Sequence, residues 1–201
     1  MQNAYRMSKR KSVVNSSSHR RIDFRRQYQG FKRPPTGAQP QWYRRRGREF
    51  ERILSALLEE EGLDPRLHYR LAGEEIDGSF VLGHRVFLLE AKWQKHPITA
   101  STLYEFKGKV DGKLVGTLGI FISMSGYSKD AVDALTVGKD LNVVLLDGAD
   151  VDICMEKSAG FKVLLLHKLR LAAEKGLVYP RLSGRLVTEA SIREALIWQR
   201  K

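Results

Sequence analysis

The stretch over residues 73–93, GEEIDGSFVLGHRVFLLEAKW, leaves the chain little choice of local structure. Two runs of strand-forming residues flank Gly83-His84, and glycine between two such runs is a hairpin signal. With a two-residue loop, positions summing to 167 face each other, so Asp77 lies opposite Glu90 and Glu75 opposite Lys92. Side chains alternate along a strand, and directly opposed residues share a face. Three carboxylates and one lysine therefore gather at the open end of the hairpin. Ile76, Phe80, Leu82, Phe87, Leu89, Ala91 and Trp93 take the other face, which reads as core.

A cross-strand salt-bridge ladder is the plain reading of such charges, and on a solvated sheet it would contribute little. Two features point further. Val81, Val86 and Leu88 share the charged face, which reads as half-buried, and carboxylates there need a partner or a metal. The order Asp, a dozen residues, then Glu-x-Lys also suits phosphodiester hydrolysis. Asp77 and Glu90 offer hard oxygen donors to a divalent cation. Lys92 is placed to orient or activate a water and to offset charge on a phosphate.

Ile76-Asp77-Gly78 followed by Glu90-Ala91-Lys92 resembles the PD-(D/E)xK nuclease signature, in the form found in Mrr-like restriction endonucleases. Gly47-Arg48-Glu49-Phe50-Glu51 is similar to the G-x-x-F-E opening of that family's first helix. TLGIFISMSG over 117–126 resembles its next core strand and turn. The likeness covers about residues 43 to 176, with Ile76 standing where the signature has proline. It implies Mg2+ (or Mn2+) held by Asp77 and Glu90, with the Ala91 carbonyl completing the sphere. It further implies that Lys92 positions the attacking water, that Glu51 supports the water or a second ion, and that double-stranded DNA is cut in a restriction or defence setting. By spacing alone, Glu51 sits at the border of a buried stripe. The implied fold is a three-layer, restriction-endonuclease-like α/β domain with a mixed central sheet, in the order α-β-β-α-β-α-β-α.

Charge divides the chain. Thirteen Lys and Arg stand against Asp23 alone in residues 1–46, so the whole net charge of +12 lies there. Residues 1–42, lacking apolar periodicity, read as a flexible basic arm that contacts nucleic-acid phosphates, with Tyr5, Phe24, Tyr28, Phe31, Trp42 and Tyr43 available to stack on bases. A solvated tail or an Arg- and Ser-rich targeting segment has the same composition. Residues 43–176 then form the nuclease-like domain, and 177–201 an extension with a short amphipathic helix over 188–199 that packs on the domain or binds a second subunit.

Within the domain, Phe50, Ile53, Leu54, Leu57 and Leu58 predict a helix over 47–61 that stops at Gly62. Helices over 99–111, 128–137 and 161–175 and buried strands over 117–124 and 142–146 follow, the two strands parallel across their helix. Gln94, Lys95, His96 and Lys107 are candidate substrate contacts. Lys109, Lys113, Lys168, Arg170 and Lys175 point to solvent or to DNA. Cys154, the single cysteine, excludes a disulfide framework and fits a cytoplasmic protein. No run reaches the ~20 apolar residues of a membrane span. The same residues also allow a nucleic-acid-binding module with an inactive site, a nuclease that waits for an activating partner, or a dimeric repair or junction-resolving nuclease.

Overall fold

The computed structural model describes residues 24–71, 74–138, 140–156 and 159–182. Five strands form one mixed sheet in chain order: β1 (Arg66–Leu71), β2 (Glu74–Leu82), β3 (Arg85–Lys92), β4 (Leu118–Ser123) and β5 (Val143–Asp147). The first three run antiparallel as a meander, and β3, β4 and β5 run parallel. The helices are α1 (residues 24–32), α2 (Pro40–Glu60), α3 (Ala100–Asp111), α4 (Lys129–Thr136), α5 (Gly148–Met155) and α6 (Phe161–Lys175).

Alternation along the central strands sorts their side chains into two cores. Phe87, Leu89, Ile120, Ile122, Val144 and Leu146 meet Phe50, Ile53, Leu54 and Leu57 of α2 and Phe161, Leu164 and Leu165 of α6. Leu88, Phe121, Val143 and Leu145 meet Leu103, Phe106 and Val110 of α3 and Ala131 and Leu135 of α4. The strands are apolar on both sides because helices cover both faces, which gives the three layers. Each fully buried side chain of this kind stabilises the fold by about 2 kcal/mol. Gly119 sets how near α3 approaches β4: a β-carbon there would lie 2.7 Å from Val110 Cγ2 and 2.8 Å from Phe106 Cε1.

The hairpin has the register that the sequence requires. Gly83 turns it at φ +62°, and Phe80 faces Phe87 while Gly78 faces Leu89. Pairing of β2 with β3 ends there, so the face rule no longer ties Ile76 to the β3 side chains. Ile76 accordingly packs with Leu88, Phe106 and Val110, not with Phe80 and Phe87. Val81 and Val86, near the tip, are exposed, whereas Leu88 is buried.

Three elements exceed the expected order. β1 adds an antiparallel edge strand beside β2. Asp147-Gly148, expected as a turn, starts α5: the Asp147 carboxylate accepts from the amides of Ala149 and Asp150 in a capping box. The largest correction concerns the arm. Residues 24–32 are helical, and α2 starts at Pro40, so the chain is folded well before residue 43. Phe24 and Tyr28 are buried in the first core, Tyr28 donates to Asp152 Oδ1 (2.8 Å), and Arg25 reaches the Cys154 carbonyl (3.0 Å). Phe24, Tyr28 and Phe31 stand at i, i+4 and i+7, a helical stripe that the dense positive charge conceals. Those aromatic rings pack on the domain and do not stand free for stacking on bases. Residues 1–23 and the stretch 188–199 lie outside the described residues.

Candidate active site

β3 is the central strand, and the site forms where it leaves the sheet. Asp77 and Glu90 are both buried, at 8% and 6% exposure, with Lys92 half-exposed beside them. Lys92 Nζ lies 2.7 Å from Glu90 Oε1 and 3.6 Å from Asp77 Oδ2. Asp77 Oδ2 also accepts the Ala91 backbone N–H at 3.0 Å. Because the β2–β3 ladder has already ended at Gly78, that amide is satisfied by a carboxylate rather than by a strand. One hydrogen bond thus holds Asp77 against the strand that carries Glu90 and Lys92.

Trp93 fixes the position of this strand end. Its carbonyl accepts from Arg46 Nη2 (3.2 Å), and its ring meets Phe50, Tyr28 and the Arg46 guanidinium at 5.0, 5.5 and 4.9 Å. Arg46, counted above with the basic arm, is buried in this aromatic surround, and burial lowers its pKa. The contact with Phe50 brings the neighbouring Glu51 of α2 into range, and the Glu51 charge acts on Lys92. Four expected site residues, Asp77, Glu90, Lys92 and Glu51, are therefore gathered from three elements.

The electrostatics are unequal. Burial raises the Asp77 pKa above the usual carboxylate range, and the Glu90 charge adds to the rise; the Ala91 N–H and the two nearby lysines offset it only in part. Burial alone would lower the Lys92 pKa, but the charge and hydrogen bond of Glu90, with the charges of Asp77 and Glu51, outweigh it and raise the group. Lys92 is thus an ammonium at neutral pH, suited to orient and to stabilise charge rather than to take up a proton.

The remaining candidates divide. Gln94, Lys95 and His96 are exposed directly after the site, with Gln94 Nε2 donating to the His96 carbonyl (2.9 Å). Lys107 is not a surface contact: it is buried, 2.9 Å from both Asp111 Oδ1 and Asn142 Oδ1. Lys168 is fully buried and paired with Asp150. Sequence reading missed Lys109, which turns inward with Nζ 3.1 Å from Glu90 Oε2 and 2.9 Å from the Glu75 carbonyl. Its helical position lies off the apolar stripe, and only the crossing of α3 beside β3 brings it to the carboxylates.

Among the described residues no group of three or more His, Cys, Asp and Glu is arranged to cage a metal. The donor set of Asp77 and Glu90 still fits Mg2+, which keeps several waters and takes one or two carboxylates. Two adjacent buried carboxylates, one with a raised pKa, are also the chemistry that a cation relieves.

The family model of the restriction endonuclease Mrr catalytic domain matches residues 43–154, more than half of the chain. The chain belongs to the Mrr-type restriction endonuclease family. The Mrr match takes in α2 from residue 43 on, the whole sheet and the site; α1 and α6 lie outside it. The Mrr-type chain is similar to the solved structure of the MspJI restriction endonuclease in complex with a 27-mer oligonucleotide, at 18% identity and TM-score 0.40, over 73% of this chain and 36% of that one. It is also similar to a crystal structure of a protein of unknown function, at 15% identity and TM-score 0.40, over 75% and 94% of the two chains. No curated protein matches it in sequence. The chain thus spans about a third of the MspJI chain.

Proposed function

We propose that this Mrr-type domain is a metal-dependent endonuclease that hydrolyses phosphodiester bonds of double-stranded DNA, in a restriction or defence role. The observation that carries the reading is the Lys92 ammonium, seated between the buried carboxylates of Asp77 and Glu90 at the end of the central strand. Membership of the family and an exposed Gln94-Lys95-His96 stretch beside the site support it, the last as a contact for substrate phosphates.

Asp77 and Glu90, with the Ala91 carbonyl, would hold Mg2+ (or Mn2+), which when bound supplies a lowered water pKa and a Lewis acid for the phosphate oxygens. Lys92 remains protonated under the charges of Glu90, Asp77 and Glu51. It therefore offers N–H donors to the attacking water's lone pair or to a phosphate oxygen that gains charge. The Ala91 N–H fixes the Asp77 carboxylate, so its free oxygen keeps one direction. Glu51 presents a further acceptor that orients the water from the α2 side. Trp93 and Arg46 hold these parts in register by tying the end of β3 to α2.

The test is Mg2+-dependent cleavage of plasmid DNA by purified protein beside Lys92→Ala and Asp77→Ala. Each variant should lose on the order of a thousandfold in rate, the size expected for removing preorganised charge from such a site. Variants that cut as fast as the wild type would sink the reading, as would a wild type that neither cuts nor binds Mg2+.

A further inference from the structure

We propose that Lys109 is a stand-in for the divalent cation, an inference that rests on the metal-dependent reading above. It holds Glu90 while metal is absent and must be displaced as metal binds, so it sets the metal concentration at which the site loads.

Glu90 is almost fully buried, and each of its oxygens is taken by an ammonium from a different element. Lys92, two residues along the same strand, takes Oε1 at 2.7 Å, and Lys109 reaches in from α3 to take Oε2 at 3.1 Å. Lys109 also bonds the Glu75 carbonyl, so one amine bridges α3, β2 and β3 at the place where the β2–β3 ladder is open. The Asp…Glu-x-Lys chemistry has no use for this second amine. It does balance charge: two buried carboxylates stand against two ammoniums. A divalent ion between Asp77 and Glu90 would supply that balance by itself and would put like charges within a few ångströms of Lys109.

Of the two lysines, Lys109 is the one free to leave. Lys92 is held from two sides by Glu90 and Asp77 and feels Glu51 as well. Lys109 meets Glu90 at the longer distance, from the side of a helix, and its second partner is the neutral Glu75 carbonyl rather than another carboxylate. Its flexible four-carbon stem lets the amine swing outward without moving α3.

The experiment is calorimetric titration of Mg2+, and separately Mn2+, into the full chain without DNA, for the wild type, Lys109→Met and Lys109→Arg. Lys109→Gln serves in place of the methionine variant if that one unfolds. Removing the charge should tighten Mg2+ binding by on the order of tenfold, and arginine should restore wild-type affinity. Equal or weaker binding by the uncharged variant, with the wild type still binding, overturns the stand-in and leaves the nuclease reading intact. Arginine binding metal as tightly as methionine also overturns it, because the effect is then one of packing and not of charge. No binding by any of the proteins overturns both.

Discussion

Two lysine–aspartate clusters in this molecule look alike on paper and behave oppositely. Lys168 is fully buried, and its Nζ meets Asp150 Oδ2 at 2.7 Å, the Pro180 carbonyl at 2.8 Å and the Leu145 carbonyl at 3.2 Å. Three N–H donors find three acceptors, and no donor is left over. Lys92 sits among Asp77, Glu90 and Glu51 with more than a third of its side chain open to solvent. Burial raises the pKa of Asp77 and of Asp150 alike, but the Glu90 charge adds to the rise at Asp77, whereas the Lys168 charge opposes it at Asp150. The first cluster closes the structure by pinning the segment after α6 to β5. In the second, Lys92 and Lys109 meet the carboxylates of Asp77 and Glu90 from a partly open site. These exchangeable partners, rather than a closed set of bonds, suit a binding site.

The comparison breaks most readily at Lys168. Lys168→Met should cost about 3–5 kcal/mol, since it strands a buried Asp150. Urea unfolding measures the loss, while the fraction that stays folded should cleave DNA at the wild-type rate. A cost under about 1 kcal/mol would mean that the Asp147 N–H, which the Asp150 carboxylate also accepts, suffices by itself and that the pair is not closed.

Asp77→Asn tests the other cluster and should run in the opposite direction. The folded-state pKa of Asp77 lies above its unfolded value, so the folded protein holds that proton longer than the unfolded chain. Stability therefore falls as pH rises from the unfolded pKa through the folded one, and the ionised group is a net cost above both. Asparagine keeps an acceptor for the Ala91 N–H and removes the charge. Thermal melts should show the variant melting above wild type at neutral pH, the gap shrinking in acid, with cleavage lost. A variant less stable at neutral pH would place Asp77 among the structural pairs. The smallest effect belongs to Arg170 and Glu174, an i,i+4 pair with both side chains about half exposed. Arg170→Ala should shift unfolding by less than about 0.5 kcal/mol.

How much of this the sequence discloses follows from how local each signal is. The hairpin register from Gly78–Leu89 to the turn and the capping Ser128 are near-neighbour facts, and the structure carries them. The expected pairs Asp77–Glu90 and Glu75–Lys92 fall beyond the end of the ladder, and Asp77 meets the Ala91 N–H instead. The two buried lysines were also within reach. Phe161, Leu164, Leu165 and Lys168 lie at i, i+3, i+4 and i+7, as do Leu103, Phe106, Lys107 and Val110, so both lysines stand on apolar stripes. Composition misled at α1, where arginines hide Phe24 and Tyr28. Lys109 was beyond reach, because its role depends on where α3 crosses β3, and no spacing along one helix encodes that crossing.

Gly119 gives that crossing its dimension. With no β-carbon between them, Phe106 and Val110 lie directly on β4, and α3 rests at the smallest clearance that the sheet permits. The glycine acts as a shim of zero thickness. Any side chain in its place would raise the whole helix, and one turn's end of that helix carries the amine that touches Glu90. A residue with no side chain, on a different strand from every acidic group of the site, therefore sets how far Lys109 can reach.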